Sequence, residues 1–363
     1  MSSYRGTRRR IETLTPASTT RIVGIDVARG LAVLGMYGAH VGVTVPFDWA
    51  DPSTWLDVVN GRSSILFALL AGVSIAIISG RTRVASGTDL RAARIRIFVR
   101  AVLVFALGVF LVALDTRIAI ILPVYAVLFV AAIPVLRWRS RSLFVAAAIL
   151  AVVGPIVAVL STITLPKGDP ILDLLLTGHY PAVIWIVFVL VGLGVGRLDL
   201  AVQRVQVWLL GVGLALAVVG YGLGVAANRA VLAAVPLPPL DIRMLATTEP
   251  HSGSPFEVVG STGFALAVLA LCLLAAPRAR RLLYPLASVG SMALSAYTAH
   301  VVIVFFIGDS AFTQTDNGLY LAFVVGALAL CSIWALTLGR GPLERVLTRV
   351  SRTAARPTRR APR

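Results

Sequence analysis

Asp26, Arg29, Val33, Tyr37 and His40 fall at i, i+3, i+7, i+11 and i+14, so a helix would carry them on one stripe. They belong to an apolar stretch, 21–46, that is hydrophobic enough to cross a bilayer. An ionisable side chain inside a lipid-spanning helix is costly, so it faces a partner, a cavity or a chemical site. Asp26 and Arg29 are spaced either to pair near one membrane face or to guard a polar route inward. His40 lies about 16 Å further along the axis than Arg29. Imidazole is the side chain best suited to moving protons near neutral pH, and on this stripe His40 is the leading candidate for that work.

The other histidines fall on the same expected side. His179 and His251 lie in loops, and His300 follows the start of the ninth apolar stretch, near Tyr284, by sixteen residues. His179 reads as interfacial, whereas His251 and His300 fit either packing or chemistry. That ninth stretch has two polar faces, Ser288–Ser291–Ser295–Thr298 and Gly290–Ala293–Tyr297–His300, which predicts a central helix. Its hydroxyls can satisfy backbone carbonyls or hold helices together, and Tyr297 and His300 can border the cavity of His40. Ser254, Pro255 and Glu257 form a capping box at the start of the eighth stretch. The same turn points toward an outer vestibule, leaving an acceptor-binding or acid/base role for Glu257 open.

The elements that must position these groups are membrane helices. Hydrophobic residues make up 58% of the 363 and charged residues 13%. Mean hydropathy is +0.90, a value that excludes an ordinary soluble domain. Apolar stretches sized for the ~30 Å hydrocarbon core occur at about 22–46, 63–80, 95–114, 118–136, 142–164, 180–196, 205–227, 256–276, 284–307 and 319–338. The expectation is an all-α, polytopic integral membrane protein of about ten transmembrane helices. Residues 1–20 form a polar, basic tail, 21–339 the membrane domain, and 340–363 a basic, disordered tail.

The net charge of +17 is topological. Lys and Arg cluster at both termini and in every second loop, while eleven of the sixteen acidic residues occupy the alternate loops. This positive-inside pattern predicts both termini in the cytoplasm and argues against nucleic acid as a partner, leaving membrane lipid as the attraction for the tails. No cleavable signal peptide is visible. The Arg bias, with Lys167 the sole lysine, suggests a GC-rich bacterial genome and an inner-membrane location. Outer connections 47–62 and 165–179 each contain an Asp-Pro pair, at Asp51-Pro52 and Asp169-Pro170, predicting short helices over the outer mouth. Cys272 and Cys331 lie within helices, so neither a disulfide framework nor a metal site is expected. There is no phosphate-binding glycine loop. Gly192, Gly194 and Gly196 lie in an apolar span and read as close helix packing.

The run Arg21-Ile22-Val23-Gly24-Ile25-Asp26-Val27-Ala28-Arg29-Gly30-Leu31-Ala32, with His40 beyond it, resembles the first helix of the heparan-α-glucosaminide N-acetyltransferase-like membrane proteins. It is also similar to membrane O-acyltransferases that modify cell-surface sugars. Asn60-Gly61 with the Phe67–Ser74 helix, and Gly290-Ser291-Met292-Ala293-Leu294-Ser295-Ala296-Tyr297, resemble later motifs of the first group. In the animal lysosomal enzyme the catalytic histidine follows the first helix; 41–60 here has none, which shifts the role to His40.

The resemblance implies acetyl-CoA or another acyl-CoA on the cytoplasmic side and a glycan or glycolipid acceptor outside, without a metal. Arg91, Arg94, Arg96 and Arg100 are then placed to meet the phosphates of CoA, and Asp26 and Arg29 to line the donor path or pore. Asn60, His251, Glu257, Tyr297 and His300 are acceptor-side candidates. His40 acts as general base on an acceptor hydroxyl or amine, or carries the acyl group. The resemblance alone suggests a homodimer. A multi-pass transporter or flippase using the same polar stripe is the rival, and it should show broken helices in inverted repeats. A silent structural membrane protein is a third reading. The enzyme should show one cavity open to both faces and narrowest at His40.

Overall fold

The computed structural model describes residues 21–234 and 243–356. The expected N-terminal tail, 1–20, lies outside them. Every one of the ten apolar stretches is helical: α1 (Val23–Val41), α2 (Arg62–Ile78), α3 (Gly87–Val112), α4 (Leu122–Ala132), α5 (Ser140–Thr164), α6 (Ala182–Val195), α7 (Gln203–Leu232), α8 (Pro255–Ala275), the ninth as α9 (Tyr284–Ser291) and α10 (Ala293–Ile307), and α11 (Gly318–Thr337). A further helix, α12 (Pro342–Ala354), closes the described chain.

This is a polytopic, all-helical membrane protein, but fewer of its helices can span unaided than the sequence suggests. Among the described residues seven are long and apolar enough to cross a membrane. The number is eight if the bent pair Pro170–Thr177 and Ala182–Val195, 50° apart, is one span. The two that fall short have different reasons. Asp26, Arg29, His40 and several glycines dilute the hydropathy of α1, and α4 has only 11 residues. Both are shielded by other helices: α1 buries 14 of its 19 residues.

Close approach of backbones builds the centre of the bundle. A Cβ on Gly290 would stand 1.7 Å from the Asp26 carbonyl oxygen, and one on Gly30 2.1 Å from that of Leu286. Only hydrogen fits there, so α9 lies directly against α1. The Gly192 stripe does the same for α6 on α2, where a Cβ would meet the Leu69 carbonyl at 1.9 Å. The glycines of α6 thus serve helix packing, as their apolar setting predicts. By contrast α11 fully buries only Cys331: one side, with Tyr320, Phe323 and Ala327, packs on the core, while Leu321, Val325, Leu330, Ile333 and Leu336 face outward.

The ninth stretch breaks at Met292, where φ −131° and ψ 39° leave the helical region. Ser288 and Ser291 donate to the carbonyls of Tyr284 and Ser288, so those hydroxyls serve the backbone. Ser295 is different. Its hydroxyl donates to Glu344 at 2.6 Å, and the other Glu344 oxygen accepts the Leu294 and Ser295 N–H groups at 2.8 and 3.1 Å. A carboxylate from the C-terminal segment therefore caps the start of α10. That corrects the expectation of a disordered tail from 340: the apolar positions of 342–354 recur at helical spacing, and Glu344 ties the helix to the bundle. Residues 357–363 lie outside the described part. The Asp-Pro caps form as expected, with Asp51 accepting the Ser53 N–H at 2.9 Å and Asp169 those of Ile171 and Leu172 at 2.8 and 3.1 Å.

Candidate active site

The helical stripe on α1 holds two unlike polar groups, one at each end. At the basic end Asp26 accepts hydrogen bonds from Arg21 at 2.5 Å and Arg29 at 3.0 Å. Arg29 also donates to the Gly290 carbonyl and the Ser74 hydroxyl, each at 3.2 Å. These charges are consumed by partners, and neither lines the cavity of His40. The geometry is that of an ion pair bridging the α1–α2–α9 junction.

At the other end His40 Nδ1 lies 3.2 Å from His300 Nε2, so one imidazole donates its N–H to the other. Which ring donates is set by tautomer. His300 is 1% exposed, stacks on Tyr37 at 4.3 Å between centroids, and its Nδ1 has no hydrogen-bond partner. Tyr37 is fixed in turn by donating to the Ala296 carbonyl at 2.9 Å. Tyr297 meets His40 edge-on at 6.3 Å, and its buried hydroxyl has no partner. Asp26, Tyr37 and His40 thus keep the one-face relation that 3.6-residue spacing dictates, and α10 supplies the imidazole across from them.

His40 lines a cavity of about 460 Å³ together with Asn60, Ser64, His179, His251 and Tyr297. Arg117 also borders it, the one formally charged lining residue among the described residues, and pairs with Asp309 at 3.1 Å. Three acceptor-side candidates, Asn60, His251 and Tyr297, therefore reach the same space as His40. His300 does not; it backs His40 from behind and borders an apolar groove between α10 and α11. Glu257 is also placed elsewhere. Its carboxylate accepts the N–H groups of His251 at 2.9 Å and Gly253 at 2.7 Å, and it lines a separate void of about 110 Å³. Its carboxylate is thus engaged by the backbone of its own turn, away from the lining of the His40 cavity. The Ser254 hydroxyl accepts the Glu257 N–H at 3.0 Å, the expected half of the capping box.

His179 is the residue whose placement sequence reading missed. Its ring packs on that of His251 at 4.3 Å and lines the main cavity instead of facing an interface. Burial holds both imidazoles neutral: His251 is pushed down to about 3, helped by the neighbouring histidines, and His179 is lowered. Only the proximity of 178–181 to 251 in space reveals this pairing.

On one side the lining of the cavity ends at a septum of Met36, Ile121 and Tyr297, which also borders a void of about 10 Å³. At the basic end, Arg96 donates to the Ile78 carbonyl at 3.2 Å and Arg100 to the Ser351 hydroxyl at 3.4 Å. Arg29, Arg96, Arg340 and Arg352 all lie close enough for their charges to act on Arg100. Arg94 is exposed on α3. Arg340 and Arg352, from the segment expected to be disordered, thus join the arginines of α3. Among the described residues no cluster of His, Cys, Asp or Glu has a metal-binding arrangement.

A multi-pass helical bundle enclosing a polar cavity lined by three histidines defines a polytopic membrane protein with a candidate site among its helices. The chain belongs to the family described as heparan-alpha-glucosaminide N-acetyltransferase, catalytic, whose model matches residues 21–221. That places it among membrane-bound acetyltransferases, a family that takes acetyl-CoA as donor. A second model, described as a protein of unknown function (DUF418), matches residues 201–353. No curated protein matches the chain. His40, Asn60 and His179 fall in the first match, and His251, Glu257, Tyr297 and His300 in the second, so the two matched regions meet at the site.

Proposed function

We propose that this protein transfers an acyl group, acetyl in the simplest case, from a cytoplasmic acyl-CoA to a sugar, glycolipid or envelope polymer on the far side of a bacterial inner membrane. The observation that carries the reading is the His40–His300 contact at the end of the polar cavity, within a chain of this acetyltransferase family. When His40 donates its Nδ1–H to His300, its Nε2 keeps a lone pair. That nitrogen takes the proton from an acceptor hydroxyl or amine as the acceptor oxygen or nitrogen bonds to the acyl carbonyl carbon. The proton then goes to the departing thiolate as the carbon–sulfur bond breaks. His300 stabilises the transient imidazolium through the 3.2 Å contact. His40 as a transient acyl carrier uses the same lone pair.

Arg96, Arg100, Arg340 and Arg352 provide the positive field that a coenzyme polyphosphate needs at the basic end. The acyl group must pass the septum of Met36, Ile121 and Tyr297, where an unbranched methionine is the wall most easily moved. The positive-inside pattern puts the arginines in the cytoplasm and the histidine cavity outside. A reporter placed in 81–86 or after Arg363 should be cytoplasmic, and one near 236–241 external.

Mass spectrometry of envelope lipids and glycans from cells with and without the gene tests the function. One component should lose an acetyl or longer acyl mass when the gene is removed. Unchanged acylation together with CoA-independent movement of a solute would favour the transporter reading.

A further inference from the structure

The turn that carries His251 is built against its own backbone preference. His251 has φ +63°, a conformation that costs a side-chain-bearing residue of this kind on the order of 1 kcal/mol. Gly253, two residues on, has φ +65°. Glu257, 4% exposed, spans the turn: one oxygen accepts the His251 N–H, and the other accepts the Gly253 N–H and, at 3.4 Å, the Ser252 hydroxyl. A capping carboxylate would ordinarily satisfy the N-cap N–H, but here it reaches past Ser254 into the preceding turn. The turn also packs on the site from another side, since a Cβ on Gly61, next to Asn60, would meet Pro250 at 3.1 Å. The strain is therefore imposed by a specific contact, and its result is a ring held on His179 in the wall of the cavity that His40 lines.

We propose that Glu257 is a positioning residue, and that it fixes His251 on His179 as the acceptor-binding imidazole facing His40. The acceptor group that this pair takes is uncharged: a sugar hydroxyl or an unprotonated amine. The inference rests on the acyltransferase reading for its substrate, but the positioning role stands on the turn itself. Among the described residues the wall of this cavity holds one formal charge, Arg117, and Asp309 offsets it at the solvent-exposed rim. A neutral imidazole can donate from one nitrogen and accept at the other, the complement of a hydroxyl. The His251 Nδ1 is buried and without a partner, in a ring that lines the cavity.

The test uses full-length protein in detergent and two readouts. Diethyl pyrocarbonate footprinting, read for each histidine by mass spectrometry, needs no acceptor. Glu257→Ala should change the labelling rates of His251 and His179 at least ~5-fold while leaving those of His40 and His300 alone, because the lost charge-assisted bonds free only the turn. Glu257→Gln should fall between, since its amide NH₂ cannot accept the second backbone N–H. The other readout is acetyl transfer from acetyl-CoA to methyl α-D-glucosaminide. Glu257→Ala and His251→Asn, which tolerates the left-handed backbone, should each raise the acceptor KM at least ~10-fold with the acetyl-CoA KM unchanged. The double variant should be no worse than His251→Asn alone. Unchanged footprints in Glu257→Ala, or a wild-type acceptor KM in His251→Asn, would overturn the proposal. Wild-type protein that transfers nothing to the sugar would count against the acyltransferase reading or this acceptor, while the footprint would still decide the role of Glu257.

Discussion

The two ends of α1 present ionisable side chains in opposite states. At the basic end every charge is answered: Asp26 holds Arg21 and Arg29, and Arg29 reaches Ser74 and Gly290 as well. At the other end His40 shares one contact with His300 and faces a cavity of about 460 Å³, with partnerless atoms on Tyr297, His251 and His300 around it. Both sets are expensive in a membrane, but saturation marks a brace and incomplete saturation beside a cavity marks a site. Substitutions at the brace should therefore reduce stability, and those at the cavity should reduce turnover.

The largest stability effect is expected at Asp26. Its replacement by Ala leaves Arg21 and Arg29 without a carboxylate at the α1–α9 contact, which should cost about 3 kcal/mol. Membrane abundance and thermal unfolding in detergent would measure it; unchanged stability would dissolve the distinction between brace and site. Glu344→Ala should cost about 1 kcal/mol, the usual scale for a lost helix cap. It should also lower the unfolding temperature without altering histidine footprints in the cavity. His179→Gln should reduce turnover only a few-fold, because Gln keeps a hydrogen-bonding group while losing the stacked face. A further effect concerns pH. His251 titrates near 6.5 when unfolded and about 3 when folded, so between those values the unfolded chain holds more protons and stability falls as pH drops. Comparing unfolding at about pH 7.5 and about pH 5.5 should show a loss that His251→Asn reduces.

The helices and the α1 stripe were legible because they depend on periodicity. Asp26, Tyr37 and His40 share a face at any 3.6-residue repeat, and each apolar stretch had to become a helix to satisfy its backbone in lipid. The spanning capacity of α1 and α4 was less so, since neighbours shield what their own hydropathy does not. Long-range juxtapositions left no periodic trace. His179 meets His251, and Glu344 caps α10, across 72 and 49–50 residues respectively. Glu344 did carry one signal: it is the single acidic residue in 340–363, and an isolated carboxylate among arginines invites a search for donors. Glu257 was readable as a cap, but its reach to His251 and Gly253 depended on a turn with two positive φ angles.

The central claim is that His40 does chemistry while Asp26 holds the fold. Acetyl transfer by purified, well-folded His40→Gln tests it most directly, since Gln preserves size and a hydrogen bond but cannot serve as a base or acyl carrier near neutral pH. Turnover should fall at least ~100-fold, with unfolding temperature and membrane abundance near wild type. Near-normal transfer by the folded variant would contradict it and move the chemistry to His300 and Tyr297.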